Sequence, residues 1–133
     1  MTDSEVIRRR DLEATMRDGV VLRADAWTPA GPGRWPVLLQ RLPYGRSVAS
    51  SPVLPHPEQL ARRGYAVVVQ DVRGRGGSDG RFVPFADEAS VGFDTIEWAA
   101  ALPFGDGQVA TYGFSYQGLN QIAAAALRPP SLR

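Results

Sequence analysis

The chain has no cysteine, no lysine, a single histidine and no long apolar run, and the lack of cysteine, of further histidines and of an apolar run each closes a class of function. Without cysteine there are no disulfides, no thiolate nucleophile and no sulfur ligands for a metal; this fits a cytoplasmic protein. One histidine and scattered carboxylates leave no metal constellation. A membrane helix needs about 20 consecutive apolar residues, and no such stretch occurs. All 15 basic residues are arginine and 14 acidic residues are interspersed with them, so a net charge of +1 gives no electrostatic case for nucleic acid. Arginine to the exclusion of lysine, with abundant Ala, Gly and Pro, is the usage of a G+C-rich bacterial genome. Arg8-Arg9-Arg10 is the one basic run; no apolar segment follows it, so it is no twin-arginine signal and reads as a solvated strand or its approach.

What is present is a pattern of alternating strands and helices. Leu12–Met16 and Val20–Trp27 flank Arg17-Asp18-Gly19, whose Asp-Gly pair predicts a hairpin. Pro36–Gln40 and Ala66–Gln70 are short apolar runs of the buried-strand type, separated by a short helix over Glu58–Arg63 closed by Gly64. Asp87–Ala101 has helical spacing of Val91, Ile96, Trp98 and Ala99, ending near Pro103. Gln108–Tyr112 predicts another buried strand, entered from a turn at Gly105-Asp106-Gly107, and Leu119–Leu127 a helix stopped by Pro129-Pro130. An antiparallel hairpin followed by strand–helix repeats is an α/β layout with a mostly parallel sheet. Nothing along the chain marks a domain boundary or an internal repeat. Trp27, Trp35 and Trp98 read as packing residues.

Between the last strand and helix lies Gly113-Phe114-Ser115-Tyr116-Gln117-Gly118. Strand, sharp turn and helix occur in the order that presents a nucleophilic serine, with Gly113 relieving a clash before the turn and Gly118 letting the helix pack closely on the sheet. The general pattern has its second glycine at position 117; here it is displaced to Gly118. The alternative is a strand-to-helix turn with an incidental serine. A serine hydroxyl needs a base, yet the 18 residues after Ser115 contain no Asp, Glu or His. In the α/β-hydrolase order of serine, acid, histidine, both partners would lie beyond Arg133. His56, then Asp71 or Asp79, then Ser115 follows the chymotrypsin order instead. That order belongs to paired β-barrels, and Pro55-His56-Pro57 reads as a loop approaching a helix.

The Gly-x-Ser-Tyr-x-Gly form of this turn resembles the CocE/NonD family of serine hydrolases, which contains cocaine esterase, α-amino acid ester hydrolases, glutaryl acylases and Xaa-Pro dipeptidyl peptidases. Three more segments are similar to that family in order and spacing: Met16–Leu22 with Asp25 and Trp27, Arg41-Leu42-Pro43-Tyr44, and Asp71–Gly80. The match runs roughly over residues 12–128. The resemblance implies that residues 1–133 are the N-terminal portion of an α/β-hydrolase catalytic domain, ending after the nucleophile helix. It implies a serine hydrolase cleaving an ester, amide or peptide of small size through an acyl-enzyme on Ser115. The Tyr116 backbone amide would be the first oxyanion donor. The second, from the loop after the strand at Pro36–Gln40, is a tyrosine hydroxyl in the family, a role that falls on Tyr44; the plainer reading is that Tyr44 only packs over its loop. Asp71, at a strand end, is read as pairing with Arg73 or as an anchor for loop amides. The glycine-rich loop 74–80 fails the dinucleotide and Walker patterns, so no cofactor is implied. The remaining reading is a non-catalytic remnant or interaction module. If the strand at Gln108–Tyr112 is left unpartnered, a long apolar sheet edge would invite self-association.

Overall fold

A computed structural model describes residues 5–48 and 54–133. Strand β1 (Val6–Thr15) and strand β2 (Val21–Pro29) form the expected hairpin, closed by the Gly19 amide on the Met16 carbonyl at 2.8 Å and the Met16 amide on Val20 at 2.9 Å. Gly19 stands at φ +85°, the left-handed conformation that an Asp-Gly turn exploits. β1 begins well before Leu12. Its register shifts between Arg9 and Leu12, with Asp11 at φ +54°, so the bulge breaks the period-two alternation that would have revealed the strand.

Strands β3 (Trp35–Leu42), β4 (Ala66–Asp71) and β5 (Gly105–Thr111) are mutually parallel, and the sheet runs β1-β2-β4-β3-β5. The hairpin joins the parallel strands through an antiparallel β2–β4 pairing, so the sheet is mixed. Helix α1 (Pro57–Ala61) links β3 to β4, α2 (Glu88–Ala100) links β4 to β5, and α3 (Tyr116–Ala125) follows β5. β5 starts earlier than the apolar run: Gly105 pairs with Trp35, and the register then shifts before Val37, so the Gly-Asp-Gly segment is an irregular strand start.

Every residue of β4 is buried, as its unbroken valine run requires of a strand covered on both faces. Alternation sends Val68, with Val37, Leu39 and Val109, toward Ile96 and Ala99 of α2 and Ala124 of α3. Val67 and Val69 face Ala61 of α1 with Trp27 and Leu42. A Cβ on Gly92 would lie 2.6 Å from that of Ala124, so a glycine in α2 sets how closely α2 and α3 approach. Gly118 does not have this role. A Cβ there would meet only the Gly113 carbonyl oxygen at 3.9 Å, an ordinary contact.

β5 is the outermost strand among the described residues, and its outer side carries one parallel bridge to Leu132. Val109 donates to Ser131 at 2.9 Å and accepts from the Arg133 amide at 2.8 Å. The edge is not the long apolar one expected, because Asp106, Gly107 and Gln108 are the exposed residues along it. An exposed apolar surface lies on α3 instead, where Leu119 and Ile122 are 54% and 70% exposed while Gln117 and Asn120 face inward. Among the described residues no helix is long and apolar enough to cross a membrane.

Candidate active site

β3 and β5 are parallel neighbours, with Leu39 opposite Thr111, so the loops that leave their carboxyl ends emerge at one sheet edge. One loop carries Tyr44 and the other Ser115. The Tyr112 amide, donated to the Leu39 carbonyl at 3.1 Å, is the last rung before the chain turns into Gly113.

Ser115 occupies φ +57°, ψ −123°, a conformation that costs a non-glycine residue about 1–3 kcal/mol. Serine before a helix ordinarily caps it with its hydroxyl. Ser115 makes no such cap bond, is exposed, and its Oγ has no hydrogen-bond partner among the described residues. The turn is held from beneath. Gly113 sits at φ +138°, where a Cβ would fall 2.5 Å from the Cβ of Gln117 and 2.7 Å from its Oε1. Buried Gln117 Oε1 accepts from the Phe114 amide at 3.2 Å and from Gln40 Nε2 at 3.1 Å. Gln121 adds a bond to the Gly113 carbonyl at 3.3 Å and accepts from Thr111 Oγ1 at 3.0 Å. The residue standing where the general pattern has its second glycine is thus a strut for the turn.

Tyr116 opens α3. As the first helical residue its amide has no carbonyl within the helix to meet, whereas the Gln117, Gly118 and Leu119 amides bond to Phe114 and Ser115 carbonyls. Its side chain goes inward. The phenol donates to Glu88 Oε1 at 3.0 Å, accepts from the Phe85 amide at 3.1 Å, and the ring stacks on Phe85 at 4.5 Å. Burial raises the phenol's pKa; the Phe85 amide opposes this in part and the Glu88 charge adds to it, so the hydroxyl stays protonated as a donor. Glu88 in turn receives Arg41 Nη1 at 2.8 Å, and Arg41 Nε reaches Gln70 Oε1 at 2.8 Å. Both members of this ion pair are buried, with side chains 4% and 7% exposed.

Asp71 ends β4 and is buried. Its carboxylate accepts from the Arg46 amide at 2.6 Å and the Gly77 amide at 2.9 Å, and pairs with Arg46 Nη1 at 3.1 Å. The pairing with Arg73 does not occur: Arg73 instead meets Asp18 in the β1–β2 turn at 2.8 Å, because the chain turns away directly after Val72. A Cβ on Gly76 would lie 2.3 Å from Asp71 Cγ, which explains a glycine in a loop that matches neither the dinucleotide nor the Walker pattern. Tyr44 is 54% exposed, and its hydroxyl has no hydrogen bond among the described residues. His56 and Ser115 share no hydrogen bond among the described residues. Its Nδ1 accepts the Glu58 amide at 3.1 Å as the cap of α1, and its ring stands edge-on to Trp27 at 6.1 Å, on the sheet face opposite α3. The chymotrypsin-like order is therefore not realised.

Arg41, Glu88, Arg46 and Gln117 were not legible as site residues. A signal existed for Arg41 and Gln40, polar residues set inside the apolar run of β3, since such a position demands a buried partner.

Residues 18–133 match the profile of the X-Pro dipeptidyl-peptidase (S15) family. Cocaine esterase of Rhodococcus sp. (strain MB1 Bresler) is 39% identical over 127 residues, which are 94% of this chain and 22% of the esterase. The structure superimposes on a CocE/NonD family hydrolase from Staphylococcus aureus with a TM-score of 0.86 at 29% identity, covering 96% of this chain and 26% of that one. An α-amino acid ester hydrolase gives a TM-score of 0.83 at 29% identity, covering 100% of this chain and 25% of that one. The chain thus spans about a quarter of the length of these relatives.

Proposed function

The chain belongs to the X-Pro dipeptidyl-peptidase (S15) family, and on that premise we propose that it is the nucleophile-bearing part of a serine hydrolase that cleaves an ester or amide through an acyl-enzyme on Ser115. The observation that carries this reading is the Ser115 backbone, φ +57° and ψ −123°, in a turn whose serine hydroxyl is exposed and forms no cap. Strain in a residue whose side chain contributes no structural hydrogen bond is the mark of a side chain held for chemistry.

In this reading Ser115 Oγ attacks the acyl carbonyl, giving a tetrahedral oxyanion. Collapse expels the alcohol or amine and leaves acyl-Ser115, which water cleaves. The Tyr116 amide, at the positive end of α3, and the Tyr44 hydroxyl, on the neighbouring loop, are the oxyanion donors. Loss of one such donor costs about 3 kcal/mol of transition-state stabilisation. Neither acid nor base is assigned within the chain: among the described residues no imidazole or carboxylate bonds to Ser115, and the α/β-hydrolase order puts both after the nucleophile. The relatives are named for esters and for X-Pro peptides, and acyl transfer is the chemistry common to both. Substrate class is therefore proposed no more narrowly than a small ester, amide or peptide.

The test is to treat the full-length gene product with a fluorophosphonate and map the adduct by mass. A single adduct on Ser115, with ester turnover lost in Ser115→Ala, is expected. An adduct elsewhere, or turnover surviving in Ser115→Ala, would sink the assignment, and absence of both reactions would favour a non-catalytic remnant or interaction module. The 133-residue chain by itself should show no turnover above its Ser115→Ala control.

A further inference from the structure

We propose that Arg46 is a positioning residue that holds Tyr44 in place as an oxyanion donor; the inference rests on the role given to Tyr44 above. Tyr44 lies in the short link Pro43-Tyr44-Gly45, and both ends of that link are tied down. On one side Leu42 is in register with Asp71, and the Val72 amide bonds to the Leu42 carbonyl at 3.0 Å. On the other side the Arg46 amide docks on Asp71 Oδ1 at 2.6 Å. The Arg46 guanidinium then spreads over three carboxylates: Asp71 at 3.1 Å, Asp25 at 3.0 Å, and Asp11. Asp25 is itself fixed by Arg8 at 2.7 Å and by the Asp11 amide at 3.0 Å.

The clamp therefore joins the bulge of β1, the middle of β2, the end of β4 and the Tyr44 loop in one cluster. Its two inner carboxylates are almost wholly buried, with side chains 2% and 4% exposed, and Arg46 is the cation between them. Gly77 closes over it, since a Cβ there would lie 2.9 Å from Arg46 Nη1. Only a planar fork presents donors in enough directions to serve three acceptors at once. Tyr44 has no side-chain bond of its own among the described residues, so the location of its hydroxyl follows from the backbone that this clamp fixes. A donor to an oxyanion acts only within a narrow range of distance, and displacement by about 1 Å can cost 100-fold in rate.

The experiment is a double-mutant cycle on ester hydrolysis by the full-length gene product, with folding followed by circular dichroism. Arg46→Gln should lower kcat by about tenfold, a partial loss of one oxyanion donor, with KM changed less than about twofold, and Arg46→Lys should recover only a minor part of the loss, because a point charge on a flexible stem cannot serve the three carboxylates at once. In a Tyr44→Phe background Arg46→Gln should cost no further kcat. Equal losses in both backgrounds, or an unchanged kcat in Arg46→Gln alone, would overturn the proposal while leaving Tyr44 as donor. An unchanged kcat in Tyr44→Phe removes the Tyr44 role first, and this inference with it. If Arg46→Gln does not fold, Asp11→Asn, at an exposed partner of the same clamp, should show the same non-additive pattern with a smaller loss.

Discussion

Replacing Glu88 with alanine removes one end of a charge pair that lies almost wholly out of water. Arg41 would keep Gln70 Oε1 at 2.8 Å but lose Glu88 Oε2 at 2.8 Å, and its guanidinium would stay buried without a counter-charge. Breaking a buried pair from one side costs about 3–5 kcal/mol. The Tyr116 phenol also loses the acceptor at 3.0 Å, worth about 1 kcal/mol. The sum, about 4–6 kcal/mol, is a large share of the ~5–15 kcal/mol that holds a domain folded. With a urea slope of about 1–3 kcal/mol per M, the unfolding midpoint of the 133-residue chain should fall by about 1.3 M or more, read by tryptophan emission. Replacing both partners, Arg41→Met with Glu88→Leu, should be milder than Glu88→Ala, because no charge is then left buried. A midpoint within about 0.3 M of the parent in Glu88→Ala, or a double variant less stable than the single one, would refute this account.

Gly113→Ala places a Cβ 2.5 Å from that of Gln117 at φ +138° and should cost about 2–4 kcal/mol in the same urea assay; a loss under 0.5 kcal/mol, on the order of an ordinary surface change, would show that the turn can relax. Burial pushes the pKa of Asp25 up, but Arg8, the Asp11 amide and Arg46 outweigh it and hold the carboxyl below its ordinary 3.8. A depressed carboxyl contributes its stability above the unfolded value and loses it as pH falls through the folded one, so the midpoint should be level down to about pH 5 and drop below about pH 4. Asp25→Asn should make that acid limb shallower, and an unchanged limb would count against the clamp as charged. The apolar outer side of α3 should make the 133-residue chain self-associate, seen as concentration-dependent sedimentation that Ile122→Glu abolishes; a monomer at every concentration tested would count against it.

Much of the fold can be read from runs only a few residues long. The hairpin at Asp18-Gly19, the buried strand at Ala66–Asp71 and the strand–turn–helix around Ser115 each follow from turn chemistry or periodicity between near neighbours. The same local patterning put Ser115 and the Tyr44 loop within reach of the family resemblance. It failed where the pattern was interrupted, as in β1, whose bulge between Arg9 and Leu12 hides the alternation. It also failed at Gly118, where a close-packing role belonged to Gly92 on another helix.

What the sequence by itself determined, then, is the order of strands, turns and helices, including the turn at Ser115 between β5 and α3, since these depend on backbone preferences and burial period. Only the tertiary structure decided which charges meet. Asp71 takes Arg46 rather than the nearby Arg73, and Arg41 on β3 takes Glu88 at the start of α2. Ion pairs are selected by the distance and burial that sheet pairing imposes on loops far apart along the chain, and no local period records that selection.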